Sequence, residues 1–359
     1  MMQKFLSIAL LSIAATALST GVNAKNPSKK QAAATRAAEP TGTPYARRAD
    51  AMQFADDLAE RRDLDREWVR QAIGQARFLA QVPRLVLPPA KGTAKNWQAY
   101  RNRFIEPVRI RAGVRFWQEN GAALAQAERE YGVPAEIIVG IIGVETIYGQ
   151  HMGNFRVMDA LATLAFDFPA EHPRAQERAA FFQRELEQFL SLMHRTDTDP
   201  FTPRGSYAGA MGLGQFMPSS WARYAVDFDR DGHIDLYGSA QDAIGSVANY
   251  FIAHGWTPGM PTHFDVRPEG SAAQTDELLV PDILPTFSAA SMQARGAVLD
   301  EAGARYTGPL ALVELQNGDN PPSYVAGTEN FYAITRYNWS SYYAMAVIGL
   351  GQAVAAARR

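Results

Sequence analysis

The stretch PAEIIVGIIGVETIYGQ, residues 134–150, decides how this chain is read. Pro134 suits the first turn of a helix, and Glu136 favours its positive end. Ile137, Ile138, Val139, Ile141, Ile142 and Val144 cover nearly all faces, so the spacing predicts a buried helix. Glu145 shares one face with Ile138, Ile141 and Ile142. A carboxyl among isoleucines is poorly solvated, which favours its neutral form and raises its pKa. A general acid needs that state near neutral pH. From the helix alone, Glu145 could equally be a structural group paired with a buried arginine or reaching water at the helix end. Gly149 is the expected stop.

A second dense stretch lies downstream. GAMGLGQFMPSSW, residues 209–221, sets three glycines before Gln215, Phe216 and Pro218. Glycine lets backbone approach a ligand closely, and Gln215 offers both a donor and an acceptor. The combination suits the wall of a groove for a neutral polar ligand, and equally an ordinary turn packed by Phe and Met. Pro218 is expected to open a helix.

DFDRDGHIDLYG, residues 227–238, follows. Asp227, Asp229 and Asp231 stand at positions 1, 3 and 5 of an EF-hand-like loop, with Gly232 at the sharp turn. His233 would offer its backbone carbonyl, and Asp235 falls at position 9. Position 12 is Gly238 where a bidentate Glu is wanted, and Asp242 lies further on to close a longer loop. Hard oxygen donors favour a structural Ca²⁺ over Zn²⁺, and the histidines lack zinc-enzyme spacing.

VETIYG with GAMGLGQFMPSSW, then AVDFDRDGHIDL with AIGSVANYF, then ITRYNWSSYYAMAV, resembles the membrane-bound lytic transglycosylase B family. The resemblance spans most of residues 50–355, with the motifs in the family's order. It implies a lysozyme-like core that cleaves peptidoglycan, with Glu145 as the sole catalytic acid/base and no cofactor for the chemistry. It implies that Ser206, Gln215, Phe216, Tyr250, Tyr337, Asn338 and Tyr343 line the glycan groove, with Tyr100 and Arg178 matching less securely. The family often shows a pair of arginines where this chain has Glu177-Arg178. Asp159 and Asp167 are the next acids after Glu145, and sequence alone leaves open whether either reaches it. Two other readings remain: a hydrolytic muramidase, or a calcium-dependent wall-binding protein that does no catalysis.

The rest of the chain frames these motifs. Met1–Lys4 gives a positive start, Phe5–Leu18 an apolar stretch too short to span a membrane, and Val22-Asn23-Ala24 a cleavage site. Residues 1–24 are therefore expected to be a signal peptide, and the mature chain soluble in the periplasm. There is no cysteine to carry a disulfide, a thiolate metal site or a lipid anchor, so stability must rest on the core. The formal net charge of −2 gives no basic excess for nucleic acid. Residues 25–45 read as a linker, 46–130 as an N-terminal helical domain and 131–260 as the core. Residues 261–330 read as a small β-rich insertion, and 331–359 as a segment returning to the core. Strands are expected at LALVEL, PSYVAG and NFYAITRY. The fold class is mainly α (α+β). The chain is expected to be a monomer without a stable membrane anchor, and its partners to be glycan strands and cell-wall synthesis proteins.

Overall fold

The computed structural model describes residues 42–88 and 95–359. The signal peptide and nearly all of the expected linker lie outside them. At the linker's end, Tyr45 is buried in a 3-10 turn.

The helical body opens with α1 (Ala49–Arg62), α2 (Arg66–Gln75) and α3 (Val82–Leu85). The pattern through Ala80 predicts a longer second helix, but α2 ends at Gln75. Arg77 then turns to donate its backbone N–H to Asp159 (2.9 Å). Next come α4 (Trp97–Phe104), α5 (Pro107–Glu119), α6 (Gly121–Tyr131) and α7 (Ala135–Thr146). Pro107 breaks the helical pattern at Glu106 and opens α5, and Glu106 caps it through the N–H groups of Val108 and Arg109. A two-residue strand, β1 (Phe155–Arg156), leads into α8 (Val157–Phe166) and the long α9 (Ala175–Arg195). β1 pairs antiparallel with β2 (Arg204–Gly205), and α10 (Pro218–Tyr224) and α11 (Ala240–Ala253) complete this part.

The β-bearing region holds β3 (His263–Pro268), α12 (Ala272–Leu279), α13 (Ala289–Gln293), β4 (Ala297–Leu299) and α14 (Glu301–Ala304). It then forms a hairpin of β5 (Ala311–Asn317) and β6 (Asn320–Gly327). The sheet is antiparallel in the order β4-β3-β6-β5. LALVEL and PSYVAG are strands as expected. β3 and β4 were hidden by their Pro, Gly and Ser neighbours. NFYAITRY is not a strand: it is α15 (Glu329–Tyr337). Thr328 caps it by accepting from the N–H groups of Asn330 and Phe331, which overrides the β propensity of its Ile, Thr and Tyr residues. The chain closes in α16 (Ser341–Ala357).

Two helical cores result. In one, α7 packs along α16 with α5, α6 and α11 around them. Glycines make the close approach possible: a Cβ on Gly140 would stand 2.3 Å from Val347 O, and one on Gly351 2.1 Å from Glu136 O. The other core joins α1–α3 to α8 and α9. The sheet has its own smaller core around Phe264, Leu278, Leu310 and Leu312. It is tied to the helical body where Gly318 N–H donates to Lys95 O (2.9 Å).

Candidate active site

Helix α7 ends one residue after Glu145. Its stop is not Gly149 but Ile147, which takes a left-handed backbone (φ 50°), followed by Tyr148 (56°) and Gly149 (88°). A left-handed β-branched residue costs about 1–2 kcal/mol and persists only where its surroundings hold it. Here Thr146 does the holding. Its hydroxyl donates to Leu213 O (2.8 Å) in the glycine-rich loop and accepts from Gly149 N–H (3.0 Å). One side chain thus locks the Glu145 turn to the 209–221 loop.

Glu145 keeps a partly open face, yet its carboxyl is closely surrounded. Burial pushes its pKa up from 4.5 to about 7, against the opposing pull of the Tyr343 hydrogen bond and the Arg109 charge. The Tyr343 hydroxyl donates to Oε1 at 2.5 Å. Tyr337 lies parallel to Tyr343, ring centroids 6.4 Å apart, and Tyr100 faces the same carboxyl from α4. At neutral pH the carboxyl is poised between its acid and base forms, and aromatic walls surround it.

The structural-pair alternative can be read directly. A buried arginine is present: Arg109 lies beneath the end of α7. Its Nη1 donates to the carbonyls of Gly143 (2.7 Å) and Val144 (3.1 Å), not to the Glu145 carboxylate. It satisfies helix-end carbonyls and places positive charge where the helix dipole is negative. The guanidinium lies 5.0 Å from the Phe104 ring centroid. The sequence reading missed Arg109, although its spacing to Gly113 and Phe116 puts it on the buried stripe of α5.

The other acids go elsewhere. Asp159 is fully buried, pairs with Arg156 (2.7 Å) and accepts from Arg77 N–H. Asp167 accepts from the Tyr45 hydroxyl (2.6 Å) and pairs with Arg48 (2.7 Å). Both fasten the N-terminal segment onto α8 instead of facing Glu145.

The glycine-rich loop brings the next expected residues together. Gln215 is left-handed (φ 51°), and its side-chain amide donates to Met152 O (3.1 Å) and Gly212 O (3.0 Å). Phe216 is buried against Tyr250 and Tyr337, centroids 6.0 and 5.9 Å away. Tyr337 donates to Gly214 O, and Tyr250 to Arg336 O (2.6 Å). Tyr250 also stacks on His254 at 3.9 Å. Asn338, just past α15, is buried. Ser206 accepts from the N–H groups of Ala208 (3.2 Å) and Ala210 (3.0 Å), which shapes the turn before the loop. Arg178 stands apart on α9. It is buried, lies over the rings of Phe181 and Phe182 and faces Tyr207, the neighbour of Ser206; its Nε has no hydrogen-bond partner.

The acidic loop folds around Asp242. This buried side chain accepts from Phe228, Asp229 and Asp235 N–H groups. Oxygens of Asp227, Asp229 and Asp242 come within 4.8 Å of one another. Burial, with the nearby Asp229 charge, raises the Asp242 pKa despite those hydrogen bonds. Gly232 takes the expected turn (φ 93°). Asp231 accepts from His233 N–H, and Asp235 from Tyr237 and Gly238 N–H groups, so these two carboxylates stabilise turns outside the gathered trio. Three converging hard oxygen donors fit a calcium ion.

Residues 46–352 match the transglycosylase SLT domain. The chain belongs to this family of lytic transglycosylases. Membrane-bound lytic murein transglycosylase B of Escherichia coli is 43% identical over 325 residues, spanning 88% of this chain and 86% of that protein. The structure of the E. coli lytic transglycosylase SLT35 in complex with calcium is also 43% identical. It covers 88% of this transglycosylase and 96% of the other chain, with a TM-score of 0.77. Pseudomonas aeruginosa SltB3, solved with NAG-anhNAM-pentapeptide, is 30% identical with a TM-score of 0.67, over 86% and 80% of the two chains. The mainly α, lysozyme-like fold expected from the sequence is thus the fold of this transglycosylase. Among the described residues, no helix is long and apolar enough to cross a membrane.

Proposed function

We propose that this lytic transglycosylase cleaves the β-1,4 bond between N-acetylmuramic acid and N-acetylglucosamine in peptidoglycan, and closes a 1,6-anhydro-muramic end. The observation that carries this is Glu145: a carboxyl raised to about 7 whose side-chain hydrogen bond comes from a tyrosine, not from a second acid.

Two-carboxylate glycosidases divide the acid and nucleophile or base roles between two side chains. Asp159 and Asp167, the nearest acids in sequence after Glu145, are held by Arg156 and by Arg48 with Tyr45. Glu145 would therefore act twice. As an acid it protonates the glycosidic oxygen as the C1–O bond breaks. The positive centre at C1 is met by the substrate's own N-acetyl oxygen, a recognised exception to the two-carboxylate rule. As a carboxylate, Glu145 then takes the proton of the muramyl C6 hydroxyl, whose oxygen bonds to C1 as the N-acetyl oxygen leaves it. The proton is returned and no water is consumed. A pKa near 7 suits both half-reactions.

In this reading Tyr343 holds the carboxyl, and Tyr100, Tyr337 and Tyr250 wall the groove. Phe216 and Gln215 shape its floor, Asn338 and Ser206 contribute polar edges, and the buried Arg178 adds positive charge from behind Tyr207. Asp227, Asp229 and Asp242 would hold a structural Ca²⁺ that fastens the 227–242 segment. Residues 1–24 would be a signal peptide that sends the enzyme to the periplasm, where it acts on glycan strands. Residues 46–130, 131–260, 261–330 and 331–359 would be its N-terminal helical domain, catalytic core, β-rich insertion and returning segment.

Mass spectrometry of muropeptides released from purified peptidoglycan tests the proposal. Products ending in 1,6-anhydro-muramic acid, one water lighter than the reducing form, are expected. Reducing ends would make the enzyme a muramidase, and wall binding without release would make it a binding protein.

A further inference from the structure

The aromatic path does not stop at Glu145. Tyr342 follows Tyr343 on α16 but turns another way: its ring lies 5.8 Å from Tyr100 and 5.9 Å from Trp97 on α4. Its hydroxyl donates to Gln316 O on β5 (3.1 Å), bridging the helical body and the sheet. Beside it opens a cleft of about 400 Å³ between β5 and the start of α16. Trp339 and Tyr342 line it with aromatic rings, Glu314 and Gln316 with polar groups from β5, and Asp282 and Lys95 with one charge each.

These groups are fixed in advance. The Arg336 guanidinium lies 5.5 Å from the Trp339 ring centroid, and Tyr332 meets that ring edge-on at 5.8 Å. Both carboxylate oxygens of Glu314 are held, one by the Tyr324 hydroxyl (3.2 Å) and one by the Gln316 amide (3.0 Å). Fixed rings and oriented acceptors cost little ordering when a ligand arrives. Aromatic rings beside acceptors and an amide match the apolar faces and the hydroxyl and acetamido edges of amino sugars. Lys95 offsets part of the charge of Asp282 and Glu314, so a neutral polar ligand suits the cleft better than a cation.

We infer that this cleft is an outer subsite for further sugar units of the strand cut at Glu145, and that the small sheet serves to lengthen the groove. The inference rests on the glycan reading above and gives the sheet region a task. Tyr100 and the Tyr342–Tyr343 pair join the two ends: one side of this aromatic group faces the acid and the other the cleft.

The test compares cleavage rates on long glycan strands and on a fragment of two disaccharides. Trp339→Leu removes a ring platform. Gln316→Trp, at an exposed position on the rim, blocks the cleft without touching the core. The unaltered enzyme should prefer long strands, and each variant should lower the long-to-short rate ratio by about tenfold, the scale of one aromatic contact. An unaltered enzyme that cleaves both substrates without preference, or variants that both keep the preference, would overturn the subsite. An unaltered enzyme that cleaves neither substrate would instead overturn the glycan reading beneath it.

Discussion

Glu145 and Glu185 are two glutamates on long-packed helices, and burial raises the pKa of both. Glu185, on α9, is almost wholly buried and fully engaged. Its Oε2 accepts from Ser219 N–H (2.9 Å) and its Oε1 from the Ser219 hydroxyl (2.7 Å), so it caps α10 from a neighbouring helix. Glu145 has one tyrosine on one oxygen and keeps an open face toward aromatic walls. The carboxyl with satisfied acceptors holds structure. The carboxyl left short of partners, beside a strained turn, is the one free to exchange a proton. Burial alone does not separate them; the partner count does.

Glu145→Gln breaks the comparison most sharply. Cleavage should fall by about a hundred- to ten-thousand-fold, the range of a general acid, while glycan binding persists. The pH dependence of stability should change as well. A folded-state pKa raised to about 7 means the folded enzyme holds this proton more tightly than the unfolded chain. The stability contributed by that proton is complete below about pH 4.5 and is lost as pH rises to about 7. The glutamine variant lacks this loss, so above pH 7 it should be more stable than the parent by roughly 1–3 kcal/mol. A thermal melt at pH 5 and at pH 8 measures the difference.

Tyr343→Phe removes the hydrogen-bond donor to Glu145 and should cost about tenfold in rate, the worth of one hydrogen bond to a charged group. Because that bond lowers the Glu145 pKa, the basic limb of the pH–rate profile should move upward. Arg109→Gln should move the limb the same way, since the Arg109 charge also lowers it, and Arg109→Lys should restore much of it. The groups facing Glu145 are Tyr343 from α16, Tyr337 from α15, Tyr100 from α4 and Arg109 from α5. A limb that stays fixed in both variants would show that another group sets it.

Glu185→Ala is the matching control. It should destabilise the fold by about 1–3 kcal/mol through the lost cap and the unsatisfied Ser219, and leave the pH limb where it was. A shifted limb would erase the distinction between the two glutamates.

The smallest expected effect is at the acidic loop. Added Ca²⁺ should raise the melting temperature by a few degrees, as for any ligand of the native state alone. Asp229→Ala should remove most of that rise with little change in rate at fixed temperature. Equal melting with Ca²⁺ and with a chelator would leave the trio as a solvated turn.

The sequence made Glu145 legible because helical periodicity puts it on the isoleucine face, and glycine spacing marked the loop that meets it. It did not show where α7 stops. Ile147 carries the stop in a left-handed conformation that its type disfavours, and the Thr146 bridge to Leu213 that compensates joins residues 67 apart in sequence. Arg109 escaped notice for a related reason: an arginine reads as surface until a helix end is known to lie above it. α15 was misread because its Ile, Thr and Tyr residues carry strand propensity, while the Thr328 cap that decides the matter is a single side chain. The cleft beside β5 needs four separate segments and had no local signature.

Direct titration of the Glu145 carboxyl, by carbon-13 NMR of selectively labelled glutamate with Glu145→Gln to assign the signal, tests the account at its centre. A midpoint near 7, coincident with the basic limb of the cleavage rate, is expected. A midpoint near 4.5 would mean that Glu145 is ionised throughout the working range and cannot be the acid.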